Sequence, residues 1–162
     1  MKQLLVAIDF SKTTDAVLEQ ALDLAMALEA RLWILHVVSD QTQAAVYEYS
    51  QYPGYGSEFI NMPGDVQLAR NLSAEEFKRE HTQLLHRSAD LREKGADAQA
   101  ILLKGNAADL ILEKAAELQV EMLILGSHGH GLLHKALLGS VSEAVIRHAH
   151  CNVLLVPSPD GD

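Results

Sequence analysis

The sequence predicts an α/β domain built on a five-stranded parallel sheet with helices on both faces. Two observations carry that prediction. Short, continuous apolar runs recur along the chain, as expected of strands buried on both sides. Between most of them lie segments with helical character, and strand–helix–strand units close as the right-handed crossovers of a parallel sheet. A chain of 162 residues that is 48% apolar is long enough for one such domain and its core.

The first run, Leu4 to Ile8, is broken by Asp9-Phe10-Ser11. From Thr14 to Ala30 the residues Ala16, Val17, Ala21, Leu24, Ala25 and Leu28 recur at helical spacing. Leu32 to Val38 is the second buried strand. Ser73-Ala74-Glu75-Glu76 has capping-box spacing and predicts a long polar helix that opens there and ends near Gly95. Ala98 to Leu103 is the third strand. Gly105-Asn106 turns into a helix from Ala107 to Leu118, with Asn106 as its cap. Glu121 to Leu125 is the fourth strand, and a helix from Ser140 to Ala149 leads to the fifth, Asn152 to Val156, stopped by Pro157.

Residues 1–157 read as one domain and 158–162 as a loose tail. The stretch 39–71 breaks the rhythm, being too long for an ordinary connection. It holds all four tyrosines, Tyr47, Tyr49, Tyr52 and Tyr55, and its Pro53-Gly54 and Pro63-Gly64 pairs argue against a rigid element. It reads as a long flexible insertion. Either it is a plain surface excursion, or its tyrosines make it a lid or partner-binding flap.

Lys and Arg number 13 against 22 Asp and Glu, a formal charge of −9. That balance excludes a broad nucleic-acid footprint and an anionic membrane surface, both of which call for a basic face. A small anionic ligand would have to be held locally, by backbone amides or a few placed cations. The single cysteine, Cys151, excludes an intramolecular disulfide and fits a reducing compartment. No run approaches a membrane span or a signal-peptide core, so the expectation is a soluble cytoplasmic domain.

In a parallel sheet of this kind, ligands sit outside the carboxyl ends of the strands, where the strand order reverses. Asp9, Val37 and Gly126 occupy such ends. Gly126-Ser127-His128-Gly129-His130-Gly131 leaves the fourth strand, and Gly139-Ser140 opens the next helix. Glycines let backbone amides approach a ligand closely, and a helix start adds unpaired N–H groups with about half a positive charge. Together they make a phosphate cradle that needs no net positive protein. Ser140 can donate to a phosphate or cap its helix, because Ser140 and Glu143 also have capping-box spacing.

The pattern Gly126-x2-Gly129-x9-Gly139-Ser140 resembles the ATP-binding motif of the universal stress protein family. The likeness extends through Leu5-Val6-Ala7-Ile8-Asp9-Phe10-Ser11, Ile34-Leu35-His36-Val37, Leu138-Gly139-Ser140-Val141-Ser142-Glu143 and Cys151-Asn152-Val153-Leu154-Leu155-Val156. It implies a Rossmann-like nucleotide-binding domain with sheet order 3-2-1-4-5, usually a homodimer. It also implies that the chain falls with the nucleotide-binding branch, whose glycines it keeps. By this resemblance Ala7 and Val37 line an adenine slot, and Asp9 lies near the base or ribose. Gly126, Ser127, His128 and Gly129 approach the ribose and phosphates, and Gly139, Ser140, Val141 and Ser142 receive the phosphates. Phe10 departs from the pattern, standing where many members have glycine.

The expected ligand is ATP or AMP, with Mg²⁺ carried through the phosphates and water. The homodimer is expected to form through the fifth strand, whose short apolar edge would otherwise lie open. No Gly-x4-Gly-Lys-Ser/Thr stretch exists, and Gly129-x-Gly131-x2-His134 lacks the last glycine of a dinucleotide fingerprint. His128, His130 and His134 cluster in sequence, as do His148 and His150, without a ligand set typical of zinc; no protein metal site is expected. The glycine loop carries no lysine or arginine to clamp a γ-phosphate, so the favoured function is a nucleotide-binding regulatory module acting on an unidentified protein. The alternatives are a slow ATPase or phosphate-transfer protein, and a structural partner protein stabilised by its nucleotide.

Overall fold

The computed structural model describes residues 1–39, 63–127 and 138–158, with the backbone alone over 63–73. Its elements are β1 (Gln3–Ile8), α1 (Thr14–Ala27), β2 (Arg31–Val38), α2 (Pro63–Glu93), β3 (Asp97–Lys104), α3 (Ala107–Glu117), β4 (Met122–Gly126), α4 (Ser140–His148) and β5 (Asn152–Val156). The strands form one parallel sheet in the order β3-β2-β1-β4-β5. The register sets Ala7 beside Leu35 and Leu125, and Gly126 beside Val156. From β1 the chain winds to one side through β2 and β3, then returns to β4 on the other. The switch point therefore lies between the carboxyl ends of β1 and β4.

Alternation along the strands divides the core into two layers. Leu4, Val6, Ile8, Leu32 and Ile34 pack with Val17, Leu18, Leu84 and Leu91 from α1 and α2. Leu5, Leu35, Leu123 and Leu125 pack with Ile111, Ala115 and Val145 from α3 and α4. Burying one such leucine or isoleucine fully is worth about 2 kcal/mol by area, so the three central strands anchor both layers.

Local chemistry sets most boundaries as read. Asn106 caps α3, its Oδ1 accepting the Asp109 N–H at 3.1 Å. Gly95 ends α2 at φ +97°, a conformation open to glycine, and the Ala96 N–H returns to the Leu91 carbonyl at 3.1 Å. The start of α2 differs. The helix opens at Pro63, well ahead of Ser73, so Ser73 lies inside it and the Ser73–Glu76 capping box does not form a terminus. Proline suits a first helical position because it has no N–H to leave unpaired and its φ is already helical. Residues 63–71 are thus helical, which corrects the reading of Pro63-Gly64 as a breaker. Residues 40–62, with the four tyrosines, lie outside the described residues, as do residues 159–162. No helix among the described residues is long and apolar enough to cross a membrane.

Candidate functional site

At the switch point, the end of β4 is tied to the start of α4. The Ser142 hydroxyl donates to the Gly126 carbonyl at 2.8 Å, and the Gly139 N–H donates to the Ser127 carbonyl at 2.9 Å. The Ser127 N–H in turn donates to the Val156 carbonyl at 2.9 Å, fixing this corner to β5. Gly126, Ser127, Gly139, Ser140, Val141 and Ser142 therefore lie together at this corner. His128 and Gly129 lie outside the described residues.

The four residues at the helix start do not play one role. Gly139 is the N-cap, with φ −62° and ψ 146°, and no side chain caps the helix. Ser140 is already helical, so its capping-box reading is not realised; Glu143 pairs instead with Arg147, at 2.7 Å from Nη2. The Gly139 amide is occupied by Ser127, and the Ser142 hydroxyl by Gly126. The N–H groups of Ser140, Val141 and Ser142 belong to the first helical turn, where no intrahelical carbonyl reaches them. None has a partner among the described residues. Ser140 and Val141 are exposed, and Ser142 is buried. The result is an outward row of donors at the positive end of the helix dipole.

β1 and β2 carry the remaining described residues of the expected site. Ala7 and Val37 are half-buried on the layer shared with α3 and α4. Asp9 follows β1 directly, and its Oδ1 accepts the Ser11 N–H at 3.0 Å, so the carboxylate also shapes the turn. Within that turn Phe10 takes φ +56°. For a residue with a side chain this left-handed form costs about 1–2 kcal/mol. The Phe10 ring contacts the first core layer and lies 4.5 Å, centroid to centroid, from the ring of His36.

His36 is a residue of this region that sequence reasoning passed over. It is 5% exposed, on β2, in the layer covered by α1 and α2. Its Nδ1 lies 2.8 Å from the Ile8 carbonyl and its Nε2 lies 2.9 Å from Oε2 of Glu80 on α2. The available signal was a histidine inside an apolar strand, which must find polar partners in the core.

Among the described residues no group of three or more His, Cys, Asp or Glu side chains converges to hold a metal. A cavity of about 410 Å³ opens at the other end of the strands, lined by Leu112, Ala115, Val120, Leu123, His148 and Cys151, among others. Burial there pushes the Cys151 thiol above its ordinary range, although a hydrogen bond with the Leu123 backbone pulls the other way.

The family model for the universal stress protein family matches residues 1–157. Universal stress protein YxiE of Bacillus subtilis is 34% identical, the match covering 95% of this chain and 97% of that protein. Universal stress protein A homolog 1 of Coxiella burnetii is 30% identical, with 96% and 95% covered. Among solved structures, UspA of Lactobacillus plantarum superposes with a TM-score of 0.75 at 22% identity, covering 96% of this chain and 97% of that one. Two further structures share the fold and hold a ligand. One is a universal stress protein in complex with cAMP, with a TM-score of 0.62, 22% identity and 97% of each chain covered. The other, from Archaeoglobus fulgidus, is in complex with dAMP, with a TM-score of 0.58, 21% identity, and 96% and 97% covered. The relatives, the family model and the sheet order agree, and the chain belongs to the universal stress protein family.

Proposed function

We propose that this chain binds an adenine nucleotide, ATP or AMP, at the switch point and serves as a nucleotide-responsive regulatory module. The observation that carries the reading is the row of N–H groups of Ser140, Val141 and Ser142, held across from Gly126 and Ser127 with no partner among the described residues. Such donors at a helix start suit phosphate oxygens, and they do so without help from a protein of charge −9. Ala7 and Val37 offer an apolar slot for the base, and Asp9 stands where a ribose hydroxyl or base edge would meet a carboxylate. His128 and Gly129 are assigned to the ribose and phosphates by the motif. The cAMP and dAMP complexes of proteins with this fold support the adenine class. A Mg²⁺ ion would ride on phosphate and water oxygens and asks no ligand set of the protein.

The homodimer belongs to the same reading. β5 is an edge of the sheet, and Val153, Leu154 and Leu155 along it are only half-buried. A second copy pairing there would cover that edge.

The test is calorimetric titration of the wild type, Gly129→Val and Gly139→Val with ATP and AMP, with circular dichroism to verify folding. Wild-type binding lost in both folded variants is the expected result. Unchanged affinity in both variants, or no binding by the wild type, overturns the assignment.

A further inference from the structure

His36 stands between two acceptors. The Ile8 carbonyl, 2.8 Å from Nδ1, can only accept, so Nδ1 carries a hydrogen. The Glu80 carboxylate, 2.9 Å from Nε2, accepts when ionised, so Nε2 carries one as well. With an ionised Glu80 the two contacts require an imidazolium. That ring lies against Phe10, whose left-handed backbone forms the middle of the Ile8–Ser11 turn. The turn is therefore held from below by one proton-bearing side chain, which also reaches α2.

We propose that His36 is a proton-operated positioning residue: its doubly protonated ring locks the Ile8–Ser11 turn, and loss of one proton releases it. A neutral imidazole has one N–H and can satisfy only one of its two acceptors. The bond to the carboxylate is charge-assisted and is the stronger of the two. The neutral ring therefore keeps its hydrogen on Nε2 toward Glu80 and turns a lone pair toward the Ile8 carbonyl. The repulsion falls on the residue that precedes Asp9. Locking is present while the proton is held and is lost as pH rises.

Among the described residues, Glu80 is the titratable side chain in contact with the His36 ring. At the register of His36, β1 presents Ile8 and β3 presents Leu102, neither of them ionisable. The core-facing side of α1 offers Thr14, Val17 and Leu18, while its Asp15 is exposed and paired with Arg87 of α2 at 2.7 Å. In the turn, Asp9 bonds the Ser11 amide, and Lys12 is exposed. Elsewhere on α2, Lys78, Arg79 and His81 are exposed, with Arg79 close to Glu76. At the far end of β3, Lys104 is exposed.

Its consequence for ligand binding rests on the nucleotide reading above, since Ala7 precedes the turn and Asp9 lies in it; the locking itself does not. Glu80→Gln separates the two. Glutamine can donate to a bare Nε2, so a neutral His36 keeps its Nδ1 hydrogen on Ile8 and the turn stays locked at any pH. Glu80→Leu, which removes the competing acceptor, has the same expected outcome and serves if the first variant fails to fold.

The measurement is ¹⁵N NMR of the full chain without nucleotide, with hydrogen exchange of the Phe10 and Ser11 amides from about pH 6 to about pH 9, around the range in which imidazoles titrate. The wild type should show both His36 nitrogens protonated at the lower end. Its turn amides should then lose about fivefold in protection, corrected for intrinsic exchange, on deprotonation, the worth of one hydrogen bond. Both Glu80 variants should keep a hydrogen on Nδ1 across the range and show flat protection. A singly protonated His36 in the wild type at the lower end, or the same pH dependence in wild type and variants, overturns the proposal. ATP and AMP titrations at both ends of the range should show the same contrast, with titration of the ligand and of other histidines cancelling between wild type and Glu80→Gln. If no nucleotide binds to any form, the nucleotide assignment falls, and the NMR and exchange results still decide the lock.

Discussion

Ser140→Ala and Ser142→Ala should separate two roles within one helix start. Ser142 is 6% exposed and its hydroxyl donates to the Gly126 carbonyl at 2.8 Å. A buried hydrogen bond contributes about 1 kcal/mol net, and an acceptor left without a donor costs about 1 kcal/mol more. Ser142→Ala should therefore destabilise the fold by about 2 kcal/mol. For a domain of this length that lowers Tm by about 6 °C. Its backbone N–H remains, so much of the ATP affinity should survive in the folded variant. Ser140 is exposed, and its hydroxyl has no partner among the described residues. Its replacement should leave Tm within about 1 °C of the wild type, as for most surface changes. ATP affinity should fall about tenfold, because a hydrogen bond to a charged phosphate is worth about 1.5 kcal/mol. Thermal unfolding followed by circular dichroism, with calorimetric ATP titration of the same preparations, reads both quantities. A Ser142→Ala variant that melts like the wild type would refute the anchor. Equal Tm losses in the two variants would refute the division of labour.

Two further outcomes follow from other parts of the molecule. Leu154→Glu, on the half-buried edge strand β5, should convert a dimer into a monomer in sedimentation at micromolar concentration; a wild type already monomeric there, or a variant of unchanged mass, removes β5 as the interface. Cys151 should react with a thiol reagent more slowly than an unfolded-chain thiol at mildly alkaline pH, because burial raises its pKa and keeps the thiolate scarce. The raised value also fixes a sign. The folded state holds the proton to higher pH than the unfolded state, so this group's contribution to stability declines as pH rises above the ordinary thiol range. A Cys151→Ser variant with an unaltered alkaline limb would show that the term is negligible.

The strands were legible because each is built on a short, largely apolar run, even where a polar residue such as His36 or Gln99 interrupts it. Leu4 to Ile8 and Asn152 to Val156 needed no correction beyond one residue at the start of β1. Their order needed the family resemblance, since right-handed crossovers permit more than one arrangement of five parallel strands. Helix ends were legible where one residue decides them, as with Asn106 and Gly95, and misread where two local signals compete. Pro63-Gly64 carries both a breaker's composition and a favourable first-turn residue, and the structure takes the second. Ser73-x-x-Glu76 and Ser140-x-x-Glu143 both match a capping box, yet one lies inside a helix and the other begins one residue late. A four-residue spacing cannot see where the previous element hands over the chain.

The site shows the same divide between local and distant information. Gly126, Ser127 and Gly139 to Ser142 could be grouped from the motif, because strand end and helix start are close in sequence. The use of each group could not. Whether a serine hydroxyl turns inward to Gly126 or outward to a ligand depends on how α4 docks against β4, which a motif does not encode. The same holds for the turn after β1. Asp9-Phe10-Ser11 is three consecutive residues, but what accompanies Phe10 at φ +56° is a histidine on the next strand, and what completes that histidine is Glu80, on a helix far along the chain. The strain of about 1–2 kcal/mol at Phe10 is thus tolerated in the company of contacts contributed by β2 and α2. A glycine in its place would remove the strain together with the aromatic contact on His36. The turn would then keep the His36 link between the Ile8 carbonyl and Glu80 of α2, without the ring packed against it.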